Sequence, residues 1–392
     1  MTAKHLAAPR NLPHAQEKFL SLVIVVVIYS TVHNQTVAAS GRNDYNVVLA
    51  TMACNLVALN VIITLAFSTV AIAQLYLAEG DLSLDSVQAS WIASIPYICQ
   101  PVGSIMSGFL VQLLGRKFSL MLVNAPFLIG WMLVCTAKSF EQFVAAQVIL
   151  GVTIGLCEAP LNTYYGEISQ PELRGILAGT AGVSYQSGFF LEYLLGTVTH
   201  WRTVAIVNAV FPVVTVIYLS QRAALRTLQE AEQPEADTLL DWSGHQANGK
   251  APGAPRWNCL HTARDLFRPP TLRPLSLVIP FFFFVHWSGM TAIRPYMVHV
   301  FESFHVPIDP NWATVVSAGT GILGSMCLLL LVHSAGKRFL SLCCTSLCFV
   351  ACLLLGLYAF MVPGVPDPAV QWLPLILFIV FYLEKRVVLR RR

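Results

Sequence analysis

Long apolar runs separated by short polar turns set the pattern of this chain. Runs near the ~20 residues that a helix needs to cross the hydrocarbon core of a bilayer fall at 47–76, 87–114, 118–137, 140–165, 176–198, 203–219, 275–301, 313–333, 339–362 and 370–383. They predict an all-α polytopic membrane protein with ten transmembrane helices. The last run is short, is interrupted by Pro374 and abuts Glu384-Lys385-Arg386. The apolar stretch 19–29 is shorter than a span and is flanked by Lys18 and His33. It lacks the form of a signal peptide, whose basic start and small-residue cleavage site precede a soluble domain; here a full membrane helix follows. Residues 1–46 therefore read as an N-terminal cytoplasmic or interfacial extension, with an eleventh span as the competing reading.

The single long polar segment, 221–273, is rich in Pro, Ala, Glu and Gln and has Pro252-Gly253-Ala254-Pro255 at its centre. It reads as a cytoplasmic loop, with room for a short helix over 225–231. It separates a six-helix half, 47–220, from a partial second half of four helices, 274–386, which ends in a basic tail, 387–392.

Composition agrees with the pattern. With 56% hydrophobic and 11% charged residues, the chain could not wet a soluble surface. The net charge of +4 is too small to point to nucleic acid, so the placement of the basic residues matters more. With the N-terminus inside, the cytoplasmic face collects nearly all of them, and the outside keeps only Lys138 and Arg202. Both termini are then cytoplasmic, and the sequon Asn34-Gln35-Thr36 stays unglycosylated. If 19–29 spanned, Lys4, Arg10 and Lys18 would move outside. The ten cysteines lie almost all in apolar stretches without metal-ligand spacing beside histidines, and read as small packing residues. No metal, cofactor or enzyme chemistry is predicted, because no nucleophile and base, metal cluster or phosphate-binding loop is present.

Ionisable groups at membrane depth are costly and point to pathways or buried pairs. Glu158, Glu192 and Arg294 are of this kind. Depth makes Glu192 and Arg294 candidate partners, either as a structural ion pair or as direct ligand contacts.

Two basic turns, Gly115-Arg116-Lys117 and Gly336-Lys337-Arg338, each end one apolar helix and open another. Glycine permits the tight reversal, and the basic pair stays in the headgroup zone. Two helices after the first turn, Glu167-Ile168-Ser169-Gln170-Pro171-Glu172-Leu173-Arg174-Gly175 returns to the same face. Carboxylates there can pair with Arg116 or Lys117 and close a gate.

These turns, with Gly151-Val152-Thr153-Ile154-Gly155, Tyr165-Gly166-Glu167-Ile168 and Arg174-Gly175, resemble the sugar porter branch of the major facilitator superfamily. Ser90-Trp91-Ile92-Ala93-Ser94, Gly155-Leu156-Cys157-Glu158-Ala159-Pro160, His200-Trp201-Arg202-Thr203-Val204 and 288–296 are more similar still to the insect facilitated trehalose transporter-like proteins. The resemblance covers 47–383 and implies two six-helix halves around a central sugar path, working by alternating access, in a plasma membrane. Departures are visible. Gln147 stands where sugar porters often carry Arg, 285–291 replaces a Gln-Gln pair, and Tyr218-Leu219-Ser220-Gln221-Arg222 replaces a Pro-Glu-Ser-Pro segment.

An uncharged, polyhydroxylated ligand needs hydroxyls, amides and aromatic faces. His286, Trp287, Ser288, Thr291 and Tyr296 supply them on the seventh helix, Tyr185 and Gln186 on the fifth, and Asn162 with Glu158 on the fourth. The run 281–284 reads as lipid-facing or core aromatics. The first helix, 47–76, has no carboxylate, which favours facilitated diffusion of a trehalose-like sugar or hexose; Glu158 keeps a proton-coupled symporter as the alternative. If the halves are related, the second is expected to lack two helices and the acidic loop that answers 167–175, and Trp372 does not replace the pathway Trp of the family. A transport-inactive truncated isoform, acting by homo- or hetero-association in the bilayer, is the other class of function.

Overall fold

The computed structural model describes residues 42–78, 82–168, 174–232, 289–335, 337–361 and 371–384, with isolated positions at 272, 276, 279, 280 and 283. Among these, all regular structure is helical apart from one isolated bridge between Tyr76 and Leu84. The helices are α1 (Arg42–Leu75), α2 (Ser86–Leu114), α3 (Arg116–Leu122), α4 (Asn124–Cys135), α5 (Phe140–Ile168), α6 (Arg174–Val198), α7 (Trp201–Glu232), α8 (Met290–Ile293), α9 (Met297–Ser303), α10 (Pro310–Ala335), α11 (Lys337–Met361) and α12 (Leu373–Glu384). Five stretches among the described residues are long and apolar enough to cross a membrane: Met52–Leu75, Ser86–Leu114, Phe118–Cys135, Phe140–Thr163 and Trp201–Ser220. The runs expected at 176–198, 313–333, 339–362 and 370–383 are helical in α6, α10, α11 and α12.

Two breaks in the predicted spans lie at prolines, whereas Pro96, Pro101, Pro160 and Pro212 are accommodated inside continuous helices. The run 118–137 breaks at Val123, because Pro126 has no N–H for the Leu122 carbonyl and its ring crowds that carbonyl. The run 275–301, expected as one span, divides in its described part into α8, a 3₁₀ turn over Arg294–Tyr296 and α9. Pro295 lies inside that turn and cannot donate. Pro374 acts differently from the interruption expected of it. It sits in the first turn of α12, where the missing N–H has no intrahelical partner to lose. The cytoplasmic helix expected over 225–231 is continuous with α7, since no breaker separates Ser220 from Ala231.

The chain forms two compact units, residues 1–216 with 296–392, and 217–295. In the first, α1 is an interior helix packed against α6, which in turn packs against α10; α2 lies along α5, and α11 and α10 both flank α12. The α2 face bearing Trp91, Ile98, Val102, Ile105, Phe109 and Leu113 is exposed, at the helical spacing of a lipid-facing stripe. α2 opens on a capping box: the Asp85 side chain accepts from the first turn, and Gln88 Oε1 accepts from the Asp85 N–H at 3.1 Å.

One end of this unit holds an aromatic core of Phe67, Trp131, Phe143 and Trp201, all buried. Phe67 meets Trp131 edge-on at 5.1 Å between centroids, and Phe143 meets Trp201 at 5.9 Å. Gln74 fastens the neighbouring turn: its Nε2 donates to the carbonyls of Gly196 (2.7 Å) and Thr199 (2.9 Å), and its Oε1 accepts from the Trp201 N–H (2.7 Å). Arg202 stacks over the Trp201 ring and donates through Nη2 to the Ala137 carbonyl at 3.1 Å. His200 lies in that turn, and burial and the Arg202 charge hold its pKa below the usual 6.5.

In the second unit, Gly289 adopts φ +77°, a conformation that favours glycine, and its carbonyl accepts from Ala292 and Ile293 at 3.0 Å as α8 begins. Of the aromatic run 281–284, Phe283 is described and is exposed.

Candidate functional site

Three groups of polar residues stand out in the apolar bundle. The first lies between α2 and α5. Gly103 on α2 and Gly155 on α5 bring the two backbones into contact; a Cβ at Gly155 would collide with the Gln100 carbonyl, and one at Gly103 with the Val152 carbonyl. This approach places Glu158 against α2. Gln100 Nε2 donates to its Oε1 and Ser104 Oγ to its Oε2, each at 2.5 Å. Both carboxylate oxygens are thus held by the neighbouring helix.

The second group lines the interface of α1, α6 and α10. Asn60, Thr64, Thr69, Gln186, Thr314 and Ser317 are all buried there or alongside. Asn60 Nδ2 donates to Thr215 Oγ1 of α7 at 3.0 Å, and Thr69 Oγ1 to the Tyr193 hydroxyl at 3.5 Å. Glu192 is fully buried on α6, where its Oε1 accepts from Asn208 Nδ2 at 3.0 Å and its Oε2 has no hydrogen-bond partner among the described residues.

The third is an open cleft of about 510 Å³ at the end of α1, the start of α2 and the segment from Tyr296 to Ser303. It is lined by Tyr76, Ser86, Ser90, Tyr296, His299, Glu302 and Ser303, with Ile72 and Ala89 as its apolar wall. The Tyr76 and His299 rings meet at 5.0 Å, and His299 Nδ1 stands 3.4 Å from Glu302 Oε2.

These groups divide the residues singled out from the sequence. Tyr296 lines the cleft, Gln186 is buried on α6 with Tyr185 half-buried beside it, and Asn162 is exposed on α5. Thr291 and Arg294 are half-buried in the second unit, whereas Glu192 belongs to the first. His286, Trp287 and Ser288 lie outside the described residues. At the opposite end of α2 from the cleft, Gly115 has φ +74° and joins α2 to α3, as its role in a tight reversal requires. Arg116 and Lys117 open α3, Arg174 and Gly175 open α6, Lys337 and Arg338 open α11, and Glu167 lies in the last turn of α5, while Gly336 lies outside the described residues.

Gln74, Gln100, Ser104, Tyr76, His299, Glu302 and Ser303 were missed. Gln74 and Gln100 had a legible signal, since an amide inside an apolar run must find partners away from water. The others had none: a serine or tyrosine near a helix end is common, and only folding gathers these into one cleft.

Residues 29–383 match the model of the family described as sugar (and other) transporter. The chain is 26% identical over 313 residues to a facilitated trehalose transporter Tret1 of Culex quinquefasciatus, covering 75% of this chain and 59% of that protein. It is 26% identical over 312 residues to a Tret1-2 homolog of Drosophila simulans, covering 75% and 63%. The chain thus spans about three-fifths of the length of these relatives. Among solved structures, it resembles the proton:xylose symporter XylE bound to 6-bromo-6-deoxy-D-glucose, with a TM-score of 0.62, 16% identity and coverage of 88% of this chain and 81% of that one. It also resembles the peptide transporter POT in complex with sulfate, with a TM-score of 0.57, 12% identity and coverage of 87% and 80%. At such identities these likenesses speak for the major facilitator fold. A match over nearly the whole chain, on an all-helical bundle with membrane-length apolar helices, places this polytopic membrane protein in the sugar transporter family.

Proposed function

We propose that this protein carries a sugar, trehalose-like or a hexose, across the plasma membrane by facilitated diffusion through alternating access. The observation that carries this reading is the chemistry of the α1–α6–α10 interface. Beside the carboxyl of Glu192, its buried polar groups are amides and hydroxyls, Thr69, Gln186 and Ser317 among them. Such groups match a neutral, polyhydroxylated solute by donating and accepting hydrogen bonds without a net charge to desolvate. Gln186, Tyr185, Thr291 and Tyr296 contact the sugar in this reading, with His286 and Ser288. The basic turns at Arg116-Lys117 and Lys337-Arg338 and the segment from Glu167 to Gly175 form the cytoplasmic gate, with both termini on that side. Glu158 is held between α2 and α5 by Gln100 and Ser104 and serves as a strut in this reading; proton-coupled symport through it is the alternative.

Labelled trehalose and glucose uptake into proteoliposomes tests the proposal. Uptake of at least one sugar that survives a protonophore is the expected result. Uptake that collapses with the proton gradient would assign proton coupling instead. Absence of flux for every sugar despite correct insertion would move the protein to a role in association with other membrane subunits.

A further inference from the structure

The cleft at the ends of α1 and α9 has a hydrogen-bonding character of its own. Ser90 Oγ donates to the Ser86 carbonyl and Ser303 Oγ to the Val300 carbonyl, both at 2.9 Å. Those donations leave the hydroxyl oxygens as acceptors toward the cleft. Glu302 adds a carboxylate whose side chain is 69% exposed, steered by His299 at 3.4 Å. Among the described residues, the lining contains no lysine or arginine. The wall is therefore rich in acceptors, repels anions and calls for a ligand that brings O–H donors. Tyr76, half-buried and braced edge-on by His299, presents an apolar face beside them, suited to the C–H face of a pyranose ring. The volume of about 510 Å³ falls in the ~300–1,000 Å³ range of small-molecule sites.

We propose that this cleft is a docking site for a neutral, polyhydroxylated ligand of the mono- or disaccharide class, with Glu302 accepting from adjacent hydroxyls and Tyr76 and Tyr296 flanking the ring. It is separate from the buried amide-and-hydroxyl interface of α1, α6 and α10, and its choice of ligand rests on the sugar-transport reading. Occupancy there loads sugar at the bundle end opposite Gly115 before any rearrangement of the helices.

The test uses the full chain with Ser303→Cys in nanodiscs and in proteoliposomes. The maleimide labelling rate of that cysteine is read against the unsubstituted chain, with trehalose, glucose or choline as the probe. Trehalose or glucose is expected to slow labelling, and Glu302→Gln with His299→Gln to raise the sugar concentration needed by about tenfold or more, as for lost bonds to a charged group. Protection unchanged in that double variant would mean the cleft merely closes when sugar binds elsewhere, and would overturn the proposal. Stronger protection by choline would overturn it in favour of a cation site. If no sugar protects while uptake proceeds, the cleft proposal falls and the transport reading stands; protection without uptake does the reverse.

Discussion

Gln74 shows how much one polar side chain can organise inside an apolar helix. Three hydrogen bonds from this amide join α1 to the α6–α7 turn, and each partner is a backbone group that the bilayer cannot satisfy. Gln74→Leu strands the Gly196 and Thr199 carbonyls and the Trp201 N–H. It is expected to destabilise the folded chain by about 2 kcal/mol or more, read as a lowered melting temperature in detergent; an unchanged value would remove the clamp from the account. The presence of an amide at depth was legible in the chain, but its partners were not, since they lie more than a hundred residues away. The same holds for Glu158. Its cost in a membrane follows from its charge, yet its engagement by Gln100 and Ser104 depends on how closely α2 approaches α5.

Between elements, small residues decide the spacing. Helices in lipid gain little from apolar burial against one another and associate by close packing where side chains are absent. At Gly155 a methyl group would meet the backbone of Gln100 and Ser104, which has no flexible end to move aside. Gly155→Ala should therefore force α2 and α5 apart, loosen the bonds to Glu158 and cost about 1–3 kcal/mol. Gly108→Ala is the matched control, because a Cβ there meets open space, and its melting temperature should stay near that of the parent. Gly155 retaining parent stability as Ala would sink this reading of the interface. Two element boundaries followed proline chemistry. The apolar pattern located most of the helices, but apolarity has no memory of hydrogen-bond geometry, so the breaks at Val123 and at Arg294–Tyr296 came from Pro126 and Pro295. The Asp85–Gln88 capping box was readable as an acid three residues before a glutamine.

For the whole molecule, orientation is the property that the charge pattern predicts most directly, because basic residues resist translocation. It puts the cleft and the 76–85 turn outside and Gly115 inside. Exposed Ser83 and Leu114 mark these two ends. In intact cells Ser83→Cys should react with an impermeant maleimide above the background of the unsubstituted chain, and Leu114→Cys only after permeabilisation; the opposite pattern would invert the topology. By itself the sequence determined the solvent of this protein, the helical class and the places where ionisable groups needed an explanation. Those follow from local quantities: the apolar length that spans hydrocarbon, the backbone bonds that only a helix can satisfy within one segment, and the cost of charge in lipid. Tertiary structure decided which groups those residues meet. Glu158 became an α2–α5 strut, Glu192 the acceptor of Asn208, and Tyr76, His299 and Glu302 the wall of one cleft. Such contacts join residues far apart in the chain, and they depend on helix spacing and rotation, which periodic apolarity leaves open because a helix buried or lipid-exposed on every side carries no directional pattern.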